Sequence, residues 1–280
     1  MSSYLERLAA RTAKVGSCLC LGIDPQPTAL PAGFSPDVHG VEDFANLLLN
    51  TAGPWAAAVK ANLAFFEAFG SAGLAALERL RARVPAELPF IADAKRGDIG
   101  STAERQAVAL LDGLAADAVT ANPYLGRDAL APFLGRPDRF VYVLCRTSNP
   151  SAVELQGLAT GAAGEPLYLA VARQVAAWAA ATPTLGLVIG ATAPAELSAV
   201  RAAVPALPFL VPGVGAQGGA AEPVLREGPV RAPQPVPRGG GLLVNVSRGI
   251  ASAALNAASS RAVEDALAEA AADWSARLRC

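Results

Sequence analysis

Histidine is almost missing from this 280-residue sequence: His39 is the only one. A single imidazole leaves no histidine metal cluster and no Ser–His couple to build. His39 lies in a loop flanked by proline and glycine and reads as a surface or helix-entry residue. Cysteine is scarce as well, with only Cys18, Cys20, Cys145 and Cys280. No zinc spacing is present, and Cys18-x-Cys20 is one residue tighter than the usual ligand pair. Three of the four fall in apolar runs, where reduced thiols pack as small hydrophobes, so a reducing, cytoplasmic compartment is expected. Long apolar runs are also lacking. Although 52% of residues are hydrophobic and mean hydropathy is +0.34, no stretch reaches the ~18 residues that a membrane helix needs. Met1 to Leu8 mixes charges early and has no secretory apolar segment. A net charge of -1 supplies no field for nucleic acid or anionic lipid.

What the chain does have is a repeated order: a short apolar run, a polar exit, then a helix. The strand signals are Ser17–Ile23, Trp55–Lys60, Phe90–Asp93, Ala118–Ala121, Phe140–Cys145, Leu185–Ile189, Phe209–Val211 and Leu242–Val246. Their continuous hydrophobicity suits parallel strands covered on both faces. Helical periodicity fills the gaps. Examples are Leu74, Leu77 and Leu80 within Phe66–Arg83, and Ala107, Leu110, Leu111 and Leu114 in the segment after the third strand. Eight such units predict one (β/α)8 TIM barrel domain over residues 1–280, with an additional N-terminal helix at Leu5–Lys14. A doubly wound open sheet is the alternative; it needs fewer strands, and no GxGxxG follows the first one. Between Gly218 and Gly241 proline and glycine crowd the sequence, which predicts a short seventh helix and a mobile loop.

In a parallel barrel all strand exits share one mouth. The polar residues expected there include Asp24, Lys60, Asn62, Asp93, Lys95, Ser148, Thr192, Gln217 and Arg248. The densest stretch is Phe90–Thr102. Asp93 and Lys95 are two apart and so share a strand face. Asp98 follows between Gly97 and Gly100, and Ser101 with Glu104 has the spacing of a capping box. Two carboxylates and an ammonium at a strand-to-helix junction are poor core material. At the other side of the mouth, Gly213–Gly219 offers backbone N–H groups for close approach. Ser247-Arg248-Gly249 sets a guanidinium at a helix start, which together favour a phosphate site.

The motif Asp93-x-Lys95-x-x-Asp98-Ile99-x-x-Thr102 resembles the signature of the orotidine 5'-monophosphate decarboxylase family. Ala94-Lys95-Arg96-Gly97-Asp98-Ile99-Gly100-Ser101-Thr102 is the form of its long-chain bacterial branch, type 2. With the further pieces, the resemblance runs from about residue 18 to about residue 250. It implies a cofactor-free, metal-free lyase that converts orotidine 5'-monophosphate to UMP and CO2. It further implies an alternating network of Lys60, Asp93, Lys95 and Asp98. Asp24 and the Lys60/Asn62 pair would then face the ribose, Ser148 the pyrimidine, and Gln217 and Arg248 the phosphate, with Pro212 and Gly215 as further contacts. In a homodimer, Asp98, Ile99 and Thr102 would enter the neighbouring site. The chemistry suits these groups: an ammonium at Lys95 stabilises charge left at C6 and then donates a proton. Gly213–Gly219 is the candidate lid.

Two other readings compete. A metal-dependent enzyme on sugar phosphates shares Asp-x-Lys-x-x-Asp but needs an acidic cradle for Mg²⁺. The Asp98-Ile99-x-x-Thr102 extension and Ser148-Asn149-Pro150 count against it. A silent nucleotide-binding barrel would not need so many charges at strand ends.

Overall fold

The computed structural model describes residues 2–162, 164–231, 238–257 and 259–280. Helix α1 (Tyr4–Val15) leads into β1 (Leu19–Ile23), α2 (Val38–Ala52) and β2 (Ala58–Asn62). Next come α3 (Ala64–Glu67), α4 (Gly70–Arg83), β3 (Phe90–Arg96), α5 (Gly100–Ala107), β4 (Ala118–Ala121), α6 (Arg127–Leu134) and β5 (Phe140–Arg146). A short helix α7 (Ala152–Gln156) and a two-stranded hairpin, β6 (Ala159–Thr160) with β7 (Glu165–Pro166), precede α8 (Leu167–Ala181). The chain finishes with β8 (Leu185–Ile189), α9 (Pro194–Ala203), β9 (Phe209–Pro212), α10 (Ala221–Glu227), β10 (Leu242–Val246), α11 (Arg248–Ala251) and α12 (Ser260–Arg277).

Eight parallel strands close into a barrel in the order β1-β10-β9-β8-β5-β4-β3-β2. Closure by β1 against β10, in the register Leu19↔Val244, excludes the open-sheet alternative. Side chains alternate along each strand, so two apolar layers form. The outer one packs strands against helices. The inner one fills the barrel floor with Cys20, Ala58, Ile91, Phe140, Tyr142 and Leu210 among others, all buried.

The N-terminal helix plugs the bottom of that inner layer. Ser3 caps it with a true capping box to Glu6. Tyr4 stacks on Phe140 with ring centroids 5.0 Å apart, and its hydroxyl lies 3.2 Å from that of Tyr142. Burial pushes both phenols up in pKa, so they stay neutral.

Several local expectations need correction. The second strand starts at Ala58, because Gly53-Pro54-Trp55 forms a 3-10 turn. The helix expected over Phe66–Arg83 is two helices, broken at Gly70, whose φ of +59° suits glycine. Leu77 and Leu80 are buried as expected, whereas Leu74 points outward. Ser101 and Glu104 form no capping box. The cap position of α5 is Ile99, with no side-chain bond, because the helix starts at Gly100, two residues earlier than a Ser101 cap would place it. The stripe at Leu110, Leu111 and Leu114 is buried, but through a widened π turn at Val108–Gly113. The seventh helix is short, as expected, at seven residues. The rest of the Pro/Gly-rich expectation falls partly on residues 232–237, outside the described residues.

Candidate active site

Counting two residues onward from six of the floor residues gives the wall of a pocket. Ala58 leads to Lys60, Ile91 to Asp93, Ala118 to Thr120, Tyr142 to Leu144, Leu210 to Pro212 and Leu243 to Asn245. All six of these wall positions line one cavity of about 360 Å³ at the C-terminal mouth. On four of these strands the barrel thus changes from an apolar floor to a polar wall (Lys60, Asp93, Thr120 and Asn245) within one residue pair, both positions facing inward by the period of two. Gly22, the corresponding position on β1, must lack a side chain. A Cβ there would sit 2.7 Å from Ser247 Cβ and 3.0 Å from Asn245 Oδ1.

At the centre, Asp93 accepts three hydrogen bonds. Lys60 Nζ donates to Oδ2 at 2.9 Å, while Lys95 Nζ at 2.7 Å and Thr120 Oγ1 at 2.8 Å donate to Oδ1. Lys60 Nζ also lies 3.7 Å from Asp24 Oδ1, and that same oxygen accepts from the Asn62 backbone N–H at 3.3 Å. Burial works against the charge on Lys60, which is 3% exposed, but Asp24 and Asp93 overcome it and its pKa is raised. Burial likewise opposes the charge on Asp93, and Lys60 and Lys95 reverse that, holding the carboxyl well below its usual range. A buried carboxylate between two ammonium groups therefore stays ionised.

Lys95 reaches Asp93 by a bend rather than by plain strand alternation. The β3–β4 register shifts between Ala92 and Arg96, so β3 bulges there. Lys95 itself has φ +49°, rare for a residue with a side chain. Its backbone N–H donates to Thr120 Oγ1 at 2.9 Å. Backbone, hydroxyl, carboxylate and ammonium of Lys95, Thr120 and Asp93 thus close a ring that fixes the bend.

The opposite wall is built from neutral groups. Ser148 Oγ donates to Gln217 Oε1 at 2.7 Å, and Thr192 Oγ1 donates to the Ser148 carbonyl at 3.1 Å. Gly213 must be glycine here: its φ is +96°, and a Cβ would come within 3.2 Å of both Gln217 and Ser148. Three of the N–H groups expected to be free in the Gly213–Gly219 turn are used inside it. Those of Gly215, Gly218 and Gly219 donate to carbonyls of the same turn, at 3.0, 2.7 and 3.1 Å.

Of the positions singled out in the sequence, Asp24, Lys60, Asn62, Asp93, Lys95, Ser148, Pro212 and Gln217 share the cavity. Gly215 and Arg248 are exposed beside it, and α11, which Arg248 opens, is a single turn too short for a strong dipole. Asp98, Ile99 and Thr102 lie outside the cavity. Asp98 accepts from the Ile99 N–H at 2.8 Å, and Ile99 is 59% exposed. Thr120 and Asn245 belong to the wall and had not been singled out; inward parity from the floor residues was the signal. Asn245 Oδ1 is buried without a hydrogen-bond partner. Among the described residues no group of three or more His, Cys, Asp or Glu could hold a metal ion. Nor is any described helix long and apolar enough to cross a membrane.

Comparison with known proteins follows the same lines. A sequence model described as the orotidine 5'-phosphate decarboxylase / HUMPS family matches residues 17–263. The curated orotidine 5'-phosphate decarboxylase of Thermomicrobium roseum is 45% identical over 248 residues, covering 89% of this chain and 86% of that protein. The one from Roseiflexus castenholzii is 46% identical over 246 residues, covering 88% of each. Among solved structures, Leishmania donovani OMP decarboxylase superposes with a TM-score of 0.80 at 38% identity, covering 98% of this chain and 99% of that one.

Proposed function

The chain belongs to the orotidine 5'-phosphate decarboxylase / HUMPS family, and on that premise we propose how its mouth performs the family's decarboxylation. The reaction converts orotidine 5'-monophosphate to UMP and CO2, the closing step of UMP synthesis. The observation that carries the assignment is the contact set of Lys60, Asp93 and Lys95 on the pocket wall.

Substrate enters with its pyrimidine against Ser148 and its ribose against Asp24, Lys60 and Asn62. Its phosphate lies toward Gln217 and Arg248, beside Pro212 and Gly215. The C6 carboxylate meets Asp93, already negative, and that repulsion is relieved as CO2 leaves. The C6–carboxylate bond breaks and its electron pair stays on C6. The Lys95 ammonium stabilises that pair, then transfers a proton to C6 to give UMP. Lys95 is left as an amine, and its half-exposed side chain allows a proton from solvent to restore it. Lys60, clasped between Asp24 and Asp93, holds the array in place. No cofactor takes part. Thr120, by bonding both Lys95 and Asp93, keeps donor and carboxylate aligned.

The reading extends to assembly. Asp98, Ile99 and Thr102 act across a homodimer interface, completing the neighbouring pocket; the exposure of Ile99 supports this. The full chain works as one barrel domain in the cytoplasm. Mixing K95A with D98A protein tests the shared site: exchange of subunits restores some activity, and exchange without restored activity removes Asp98 from the neighbour's pocket.

The direct test is ultraviolet loss of orotidine 5'-monophosphate by purified protein stripped of metal. Turnover insensitive to EDTA is expected. Activity that vanishes on stripping and returns with Mg²⁺ would move the chain to the metal-dependent side of the family.

A further inference from the structure

Trp274 lies on the C-terminal helix α12, outside the pocket, yet it touches both loops assigned to the phosphate. Its Nε1 donates to the carbonyl of Gly249 at 3.2 Å, the residue after Arg248. A Cβ on Gly249 would stand 3.1 Å from that nitrogen and 3.3 Å from Cε2. The far edge of the same ring meets the other loop. A Cβ on Gly215 would stand 2.9 Å from Cζ2 and 3.0 Å from Cη2. One indole is therefore keyed to two glycines, one on the exit of β9 and one on the exit of β10. The ring is itself held. Arg277 places its guanidinium carbon 5.1 Å from the ring centroid and pairs with Asp273 at 2.8 Å.

We propose that Trp274 is a positioning residue for the phosphate end of the pocket, setting the Gln217 loop and the Arg248 loop at a fixed separation. This rests on the phosphate reading above. A phosphate that must be grasped from two loops binds best when they are already spaced for it, because ordering them on binding costs affinity. A flat ring with two rotatable bonds is a stiff spacer, and glycine on either side lets it approach the backbone. If the ring only filled space between helix and barrel, its loss would weaken every ligand alike. As a spacer it acts only on ligands that carry a phosphate.

The experiment compares UMP with uridine by calorimetry on full-length W274A, W274F and R248A proteins. W274A is expected to weaken UMP by about tenfold and leave uridine unchanged. W274F keeps most of the ring but loses the N–H, and is expected to show a smaller loss with the same selectivity. Equal weakening of both ligands, or of neither, overturns the spacer role. R248A separates this from the underlying reading. If R248A leaves the advantage of UMP over uridine intact, the phosphate site is elsewhere; if it abolishes that advantage while W274A does not, only Trp274 is wrong. Should W274A fail to fold, W274F carries the test alone: a loss of affinity confined to UMP supports the spacer role, and equal weakening of UMP and uridine, or of neither, overturns it.

Discussion

Each end of the barrel holds an aspartate among basic groups, but the two clusters are built differently. At the bottom, Asp117 accepts from Arg7 at 2.8 Å and Arg139 at 3.3 Å on one oxygen, and from Arg81 at 3.4 Å and the Phe90 N–H at 2.9 Å on the other. Those donors come from α1, α4 and the entries to β3 and β5, so one carboxylate ties four pieces of chain together. Arginine suits this, because its planar fork divides its donors among fixed acceptors and keeps its proton. Arg7 also reaches the Asp138 carbonyl, and Arg81 that of Ala115. At the mouth, Asp93 is surrounded by lysines and a hydroxyl. An ammonium is a compact point charge that can turn toward a new partner and give up a proton. Arginines around Asp117 tie chain segments together, whereas the lysines around Asp93 have the freedom that the proposed chemistry needs. This is the division expected of such barrels, stability below and chemistry above.

The comparison can be broken by exchanging which end matters for which property. The largest expected effect is K95A: kcat falls by at least ~10⁴-fold, while UMP still binds and the circular dichroism spectrum is unchanged. A rate near wild type would remove Lys95 from the chemistry. Next is R248A, where KM for orotidine 5'-monophosphate rises by about 100-fold with kcat at saturation much less affected, since charge-assisted bonds to phosphate are among the strong ones. An unchanged KM contradicts the phosphate assignment. D117A should cost about 2 kcal/mol of stability by leaving three partly buried guanidiniums without their acceptor, measured by urea melts. Its kcat/KM per folded molecule, taken well below the melt, should match wild type. A catalytic defect in the folded D117A protein would erase the contrast between the two ends.

The smallest effect is on pH. Asp93 has a folded pKa below its unfolded one. It therefore adds stability that is complete above about pH 4 and is lost as pH falls through the lowered folded value. K60M removes part of the lowering, so the acid limb of its stability curve should move to higher pH. A limb that stays in place would mean that Lys60 does not set the charge on Asp93.

Much of the fold was legible because parallel strands advertise themselves as apolar runs with polar exits, and six barrel strands begin at or near their expected residues. Three boundaries moved at Gly53, Gly70 and Gly100, where a backbone turn overrode side-chain periodicity, and β1 begins at Leu19 rather than Ser17, which makes only an isolated bridge to Arg279. The charged half of the site was legible because Lys60, Asp93 and Lys95 are chemically loud on apolar strands. Thr120 and Asn245 were not, since a hydroxyl and an amide inside a strand look like ordinary residues until the inward layer is counted. The proximity of Asp93 and Lys95 was foreseen, but its geometry was not: spacing of two implied a flat strand, and the bulge with its positive φ at Lys95 arises from pairing with β4. Trp274 gave no sign, because its importance depends on two glycines far away in the chain.

The bend at Lys95 also implies an inverted ranking of substitutions. In an ordinary strand glycine is less stable than alanine by roughly 0.5–1 kcal/mol. Where the backbone is left-handed, the methyl group of alanine is the burden, by about 1–2 kcal/mol. K95G should therefore melt above K95A, a difference read by thermal melts whatever either variant does to turnover. Selection for thermal robustness alone would push this position toward glycine, so a lysine held in this backbone costs the molecule some durability, which the proposed proton donor would account for.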